Sequence, residues 1–337
     1  HCCGHHAQMA GIFGAALALT VPEIAEKLGG QVVFFATPAE EYGEIEFKNQ
    51  LREQGKIRYG GGKCELIRTG AFDDIDLCLA HHIQPGDEIQ VGSGTGNGFV
   101  SKVIRYLGKA AHAAGAPDKG VNALSAASLG LQALGLNRET FRDEDCVRVH
   151  PIITKGGNLV NVIPDEIVIE TLVRAKTIEA FTDAAKKTDR SFQAGAVAMG
   201  AKVEITTLPG YLPTLAEQAL PELKRAAELA APEVPVREAA GHSGGSTDVG
   251  DVQHLMPVYT FNTGGVKGGL HQINFEVTNE EEAYIDTAKM FALAAYGLLK
   301  EKAARSKELV KNYKPVFKDS AEYTKFMEQF DSKEVLD

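Results

Sequence analysis

Between residues 99 and 211 the apolar residues recur first with the period of a strand and then with that of a helix, in an order that leaves few folds open. FVSKVIRYLG (99–108) reads as a strand and KGVNALSAASLGLQAL (119–134) as a helix. VRVHPIITKGG (147–157) and EIVIETLVRA (166–175) read as strands, residues 178–201 as a long helix, and KVEITTLPGY (202–211) as a closing strand. The resulting order, β-α-β-β-α-β, is the split unit of a ferredoxin-like fold, and residues 93–212 are expected to form an inserted domain.

The flanks read as one α/β catalytic domain that the insertion interrupts, over residues 1–92 and 213–303. Small and apolar residues keep helical spacing over residues 8–28 until Gly29 and Gly30 stop them. QVVFFATP (31–38) then reads as a buried strand, and DIDLCLAHHIQPG (74–86) as a second one that delivers side chains at its C-terminal end. Beyond Pro213 come a helical stretch, the turn-rich GHSGGSTDVGD (241–251), a strand MPVYTFN (256–262) and a helix over 279–302. Residues 304–337 form a charged tail, expected as a surface helix or partial disorder.

A net charge of −10 without a basic stripe argues against a nucleic-acid partner, whose phosphates need clustered Lys and Arg. The longest apolar runs fall well short of the roughly 20 residues of a membrane span. Five cysteines are an odd and sparse set, which fits the reducing cytoplasm better than a disulfide-stapled scaffold. No signal peptide is visible, and His1 reads as a cut end, so the first part of the catalytic domain is expected to be missing.

The chain opens HCCGHHAQMAG, a density of metal-binding side chains with three explanations: a tag remnant, a structural zinc knuckle, or half of a metal site completed downstream. Glu40 and Glu41 follow the first buried strand, where adjacent carboxylates point in different directions. His82 ends the next apolar run, beside His81, and His271 sits in the glycine-rich GGVKGGLHQINF. Each alone is as well explained by a solvated acidic loop, a satisfied core histidine or a turn. As a set, Cys3, His5, Glu41, His82 and His271 offer thiolate, imidazole and carboxylate from four separated segments, each expected at the edge of one sheet.

Seven blocks in order over roughly residues 1–300 carry a resemblance. They are CGH at 3–5, PAEE at 38–41, HIQP at 82–85, GKAAHAAGAPDKGVNAL at 108–124, GGNLVNVIPD at 156–165, GSTDVGDV at 245–252, and His271. Together they resemble the aminoacylase superfamily of co-catalytic metallohydrolases, in the branch of aminobenzoyl-glutamate, hippurate and auxin-conjugate hydrolases. The resemblance implies a mixed-sheet, phosphorylase/hydrolase-like catalytic domain with an inserted ferredoxin-like dimerisation domain. It implies two divalent metal ions, zinc or manganese and potentially cobalt, held by Cys3, His5, Glu41, His82 and His271. Glu40 matches the general base toward a metal-activated water. His112 and Asn161 match residues that bind the scissile carbonyl or its oxyanion, the histidine commonly from the partner subunit of a homodimer.

The implied activity is cleavage of the amide bond of an N-acyl amino acid or a small dipeptide-like substrate. Two competitors stand beside it: a non-catalytic dimeric scaffold or binding subunit, and an isolated N-terminal zinc site in an unrelated protein. Arg174 reads as a surface ion-pair member or a carboxylate-binding fork. Ser246, Thr247 and Asp248 read equally as a helix N-cap followed by a turn and as groups that wall the substrate pocket or orient a metal ligand from behind.

Overall fold

A computed structural model describes residues 3–337; His1 and Cys2, which begin the first motif, lie outside them. Strands Gly98–Leu107, Glu166–Ala175 and Lys202–Tyr211 are each 10 residues long and rich in β-branched side chains. They form the centre of an antiparallel six-stranded sheet, Glu166–Ala175 and Lys202–Tyr211 flanking Gly98–Leu107. Arg148–Val149 and Ile152–Lys155 both pair with Glu166–Ala175 on one side. Helices Ala123–Asn137 and Ile178–Met199 pack against this sheet, so the β-α-β-β-α-β order is present with its second strand in two short pieces.

These two helices approach closely because glycines meet between them. A Cβ on Gly195 would lie 2.2 Å from the Ala126 carbonyl oxygen, and one on Gly130 would lie 2.3 Å from Tyr106 Oη. Beneath them Lys102 is buried, its ammonium paired with Asp189 at 2.7 Å and donating to Thr207 Oγ1 at 2.8 Å. A buried lysine left without those partners would be costly, so the pair fixes how the long helix sits on the sheet.

The second sheet has four short strands in the order Cys78–Ile83, Val258–Thr263, Ile89–Val91, Val236–Glu238. Cys78–Ile83 runs parallel to Val258–Thr263, with His82 opposite Asn262. The helix His5–Leu19 packs on the helical segment Thr287–Asn312, which a kink with non-helical backbone at residues 300–303 divides in two. Here too small residues set the distance: a Cβ on Gly11 would come within 2.4 Å of Thr287 Cγ2, and one on Gly14 within 2.6 Å of the Ala288 Cβ. Among the described residues no helix is long and apolar enough to cross a membrane.

Two expectations fail. Residues 31–38 are extended but form no strand, and Val33 and Phe34 are exposed. A strand needs a hydrogen-bonding neighbour, and none of these residues makes a backbone–backbone hydrogen bond among the described residues. Between residues 31–35, Cys78–Leu79 and the helix Thr287–Asn312 runs a groove of about 730 Å³. The tail is also not a loose surface element. Helix Ser320–Met327 buries Tyr323 and Met327, and Ser332–Leu336 adds an antiparallel strand beside Lys202–Tyr211. Phe317, Tyr323, Phe326 and Phe330 stack in a chain of ring contacts, an apolar stripe that the tail's charge obscures in the sequence.

Tyr323 also reaches the helix Val249–Gln253, donating its hydroxyl to the fully buried Asp251 at 2.8 Å. Burial pushes the Asp251 carboxyl up to about 8, against the hydrogen bonds it accepts from Tyr323 and the Leu212 N–H. The folded state therefore holds this proton while the unfolded chain releases it above about pH 4. Stability contributed by neutral Asp251 is present at low pH and lost as pH rises toward 8. Melting temperatures between pH 5.5 and 8.5 should fall less steeply for Asp251→Asn than for the unaltered chain; parallel slopes would contradict the assignment. Gly195→Ala should cost about 1–3 kcal/mol in denaturant unfolding through overpacking, whereas a neutral result would mean that the two helices can separate freely.

Candidate metal centre

Cys3 and His5 flank Gly4, which has φ +65 and serves as the N-terminal cap of helix His5–Leu19. A Cβ there would meet Ile83 Cγ2 at 2.5 Å and Phe275 Cζ at 2.8 Å. Only glycine satisfies both the left-handed backbone and the contact, so Gly4 seats Cys3 and His5 against the end of strand Cys78–Ile83. His82 leaves that same strand. Its Nδ1 lies 2.6 Å from the Ile83 carbonyl oxygen, so Nδ1 carries the proton and Nε2 is left with a lone pair for a ligand. Burial, the largest influence, lowers the His82 pKa, which favours the neutral imidazole that metal binding requires.

The remaining donors come from loops. His271 has φ +60, a strained backbone for a residue with a side chain. Its Nε2 lies 3.0 Å from Cys3 Sγ and 3.5 Å from Glu41 Oε2. Glu40 and Glu41 occupy a turn in which Ala39 and Tyr42 both have positive φ, and this turn sends both carboxylates toward His5. His5 Nε2 is 3.5 Å from Glu41 Oε1 and 3.7 Å from Glu40 Oε2.

Two triads result, each with its donor atoms within 4.8 Å of one another: Cys3, His5 and His82, and Cys3, Glu41 and His271. They share the Cys3 sulfur, and a third group joins His5 to Glu40 and Glu41. One thiol, three imidazoles and one carboxylate form a donor set suited to a borderline-soft divalent cation. The His5 imidazole lies beside both Glu40 and Glu41, a convergence of two carboxylates that a dication would offset.

Glu40 differs from Glu41 in its partners. Thr247 donates its hydroxyl to Glu40 Oε1 at 2.7 Å, and Tyr211 donates its hydroxyl to the Glu40 carbonyl oxygen. Burial, followed by the nearby Asp248 carboxylate, raises the Glu40 pKa, opposed by the Thr247 hydrogen bond and by Lys63 and His5. Asp248 itself is fully buried and takes two bonds from Lys63, from Nζ at 2.5 Å and from the backbone N–H at 2.9 Å. Tyr211 and Lys63 carry no motif and were not among the candidates from the sequence. Tyr211 lay at a strand end that points back toward Glu40, the one available hint.

His112 and Asn161 are exposed on the six-stranded-sheet side and are brought to each other, not to the donor cluster. The Ala113 N–H donates to the Asn161 carbonyl at 2.9 Å, and His112 bridges to Val162. His112 Nδ1 accepts from the N–H groups of Ala114 and Gly115, which puts the ring proton on Nε2 and makes that atom an outward donor. Arg174 lies over the Phe99 ring, 5.7 Å from its centroid, and burial lowers its pKa.

A family model, peptidase family M20/M25/M40, matches residues 1–296. The Xaa-Arg dipeptidase of Mus musculus is 28% identical over 325 residues, a match that covers 94% of this chain and 67% of that protein. An aminohydrolase structure from methicillin-resistant Staphylococcus aureus superposes with a TM-score of 0.63 at 22% identity, covering 89% of this chain and 74% of that one. A dinuclear metal-binding peptidase of the M20 family from Bacillus subtilis does so with a TM-score of 0.57 at 23% identity, covering 89% and 73%. Over seven motifs in order and a match that spans most of its length, this chain belongs to the peptidase family M20/M25/M40.

Proposed function

We propose that this chain hydrolyses the amide bond of an N-acyl amino acid or a small dipeptide-like substrate, with Glu40 as general base. The observation that carries the reading is the convergence of Cys3, His5, Glu41, His82 and His271 beside a carboxylate with separate support. Cys3, His5 and His82 would hold one divalent cation and Cys3, Glu41 and His271 a second. When bound, such cations polarise a carbonyl and lower the pKa of a water. Glu40 would take the proton of the attacking water and return it to the leaving amine, which its Oε2 can do while Thr247 occupies Oε1. Zinc and manganese both suit these donors, and cobalt is a further candidate.

His112 and Asn161 would bind the scissile carbonyl or its oxyanion, with His112 reaching the site of the partner subunit in a homodimer. Their exposure, and the outward Nε2–H that the turn imposes on His112, support presentation to the partner's site. Residues 93–212 would be the inserted dimerisation domain, joining catalytic segments 1–92 and 213–303. The groove beside the unpaired residues 31–38 supports a catalytic sheet completed by a further strand.

Glu40→Gln should lower kcat by about 10²–10⁴-fold on a panel of N-acyl amino acids and dipeptides, with metal content by plasma mass spectrometry unchanged; retained turnover would remove Glu40 from the base role. His271→Ala should take the metal content from about two per chain to about one. A content indifferent to this substitution would favour an isolated N-terminal site.

A further inference from the structure

Building on the reading of Glu40 as the base, we propose that Thr247 is a positioning residue for it, held in place by the buried Asp248–Lys63 pair. The contacts form a closed circuit through three segments distant in sequence. Thr247 Oγ1 donates to Glu40 Oε1 at 2.7 Å. The next residue, Asp248, is fully buried and bonds both the ammonium and the backbone N–H of Lys63. The residue before Lys63, Gly62, donates its N–H to the Ala39 carbonyl at 3.3 Å, one residue from Glu40. The circuit admits no side chain at Gly62, where a Cβ would fall 1.7 Å from the Pro38 carbonyl oxygen.

This geometry decides between the two sequence readings of the GGSTD turn. Asp248 stands at the N-cap of helix Val249–Gln253 but makes no capping hydrogen bond with its side chain, which is spent on Lys63. The Thr247 hydroxyl is 3.4 Å from the Val249 N–H, a marginal cap, and 2.7 Å from Glu40. The stronger bond is thus the one to the base. A hydroxyl on Oε1 fixes the carboxyl plane and leaves Oε2, 3.7 Å from His5 Nε2, as the oxygen that faces the donor cluster. Adjacent Glu41 has no such holder and is oriented by His5 and His271 instead.

The test compares Thr247→Val, which keeps shape and loses the hydroxyl, with Thr247→Ser, which keeps it. Carboxyl labelling of the metal-free protein with a carbodiimide and glycine ethyl ester, read by peptide mass spectrometry, should show Glu40 labelled several-fold faster in T247V. T247S should label at the unaltered rate, and Asp251 should stay protected in all three as a check on folding. In the metal-loaded protein, kcat of T247V should fall by about 10- to 100-fold, with KM within about twofold and metal content unchanged, and T247S should recover most of it. Thr247→Ala repeats both measurements if the valine variant proves unstable. Glu40 labelling in T247V equal to that of the unaltered chain would overturn the proposal. Faster labelling in T247V with no amide hydrolysis by the unaltered protein would instead refute the proposed activity and leave the positioning role standing.

Discussion

The site depends on how closely the first helix lies on the last long one. Gly11 and Gly14 face Thr287 and Ala288 with no room for a Cβ between them, and this contact brings the two ends of the chain together. Gly4 continues the same face and fits between Ile83 and Phe275. The consequence is the approach of Cys3 Sγ to His271 Nε2 at 3.0 Å, across 268 residues of sequence. Larger side chains at the glycines would lift the helix and draw apart both triads that share the Cys3 sulfur.

Electrostatics then divides labour between two adjacent carboxylates. Glu40 and Glu41 share a turn with positive φ on either side, and close packing of like charge there has a cost that a dication removes. They are separated by their neighbours. Glu41 meets the imidazoles of His5 and His271, with the Cys3 thiol nearby, whereas Glu40 has a hydroxyl on one oxygen and a second hydroxyl on its backbone carbonyl. The fully buried Asp248 would add a further negative charge to this region, and the half-buried Lys63 balances it. The roles proposed for Glu40 and Glu41, one carrying a proton and the other holding a cation, call for different surroundings, and the partners of the two side chains differ within one dipeptide.

Much of this was legible in the sequence, for reasons that differ by element. The long strands and helices between Gly98 and Tyr211 are strongly periodic and each is internally paired, so their order could be read directly. The donor residues were legible because Cys3, His82 and His271 stand at segment ends where apolar patterning stops. Residues 31–38 have the composition of a core strand, yet a strand needs a second stretch of backbone beside it, and among the described residues none bonds to theirs. The tail misled because its many charges mask the buried faces of Tyr323, Met327 and Phe330. Lys63, and Tyr211 apart from its place at a strand end, could not be read from the sequence since each acts through contacts made by tertiary structure, with no spacing to announce them.

That a cysteine at the start of the chain and a histidine near its end enclose the same cations can be measured without reference to turnover. X-ray absorption at the zinc edge of the zinc-loaded protein should show a sulfur neighbour at about 2.3 Å together with nitrogen and oxygen neighbours at about 2.0–2.2 Å. The sulfur signal should vanish in Cys3→Ser. A spectrum of nitrogen and oxygen alone in the unaltered protein, or a sulfur signal indifferent to Cys3, would contradict the arrangement of the centre.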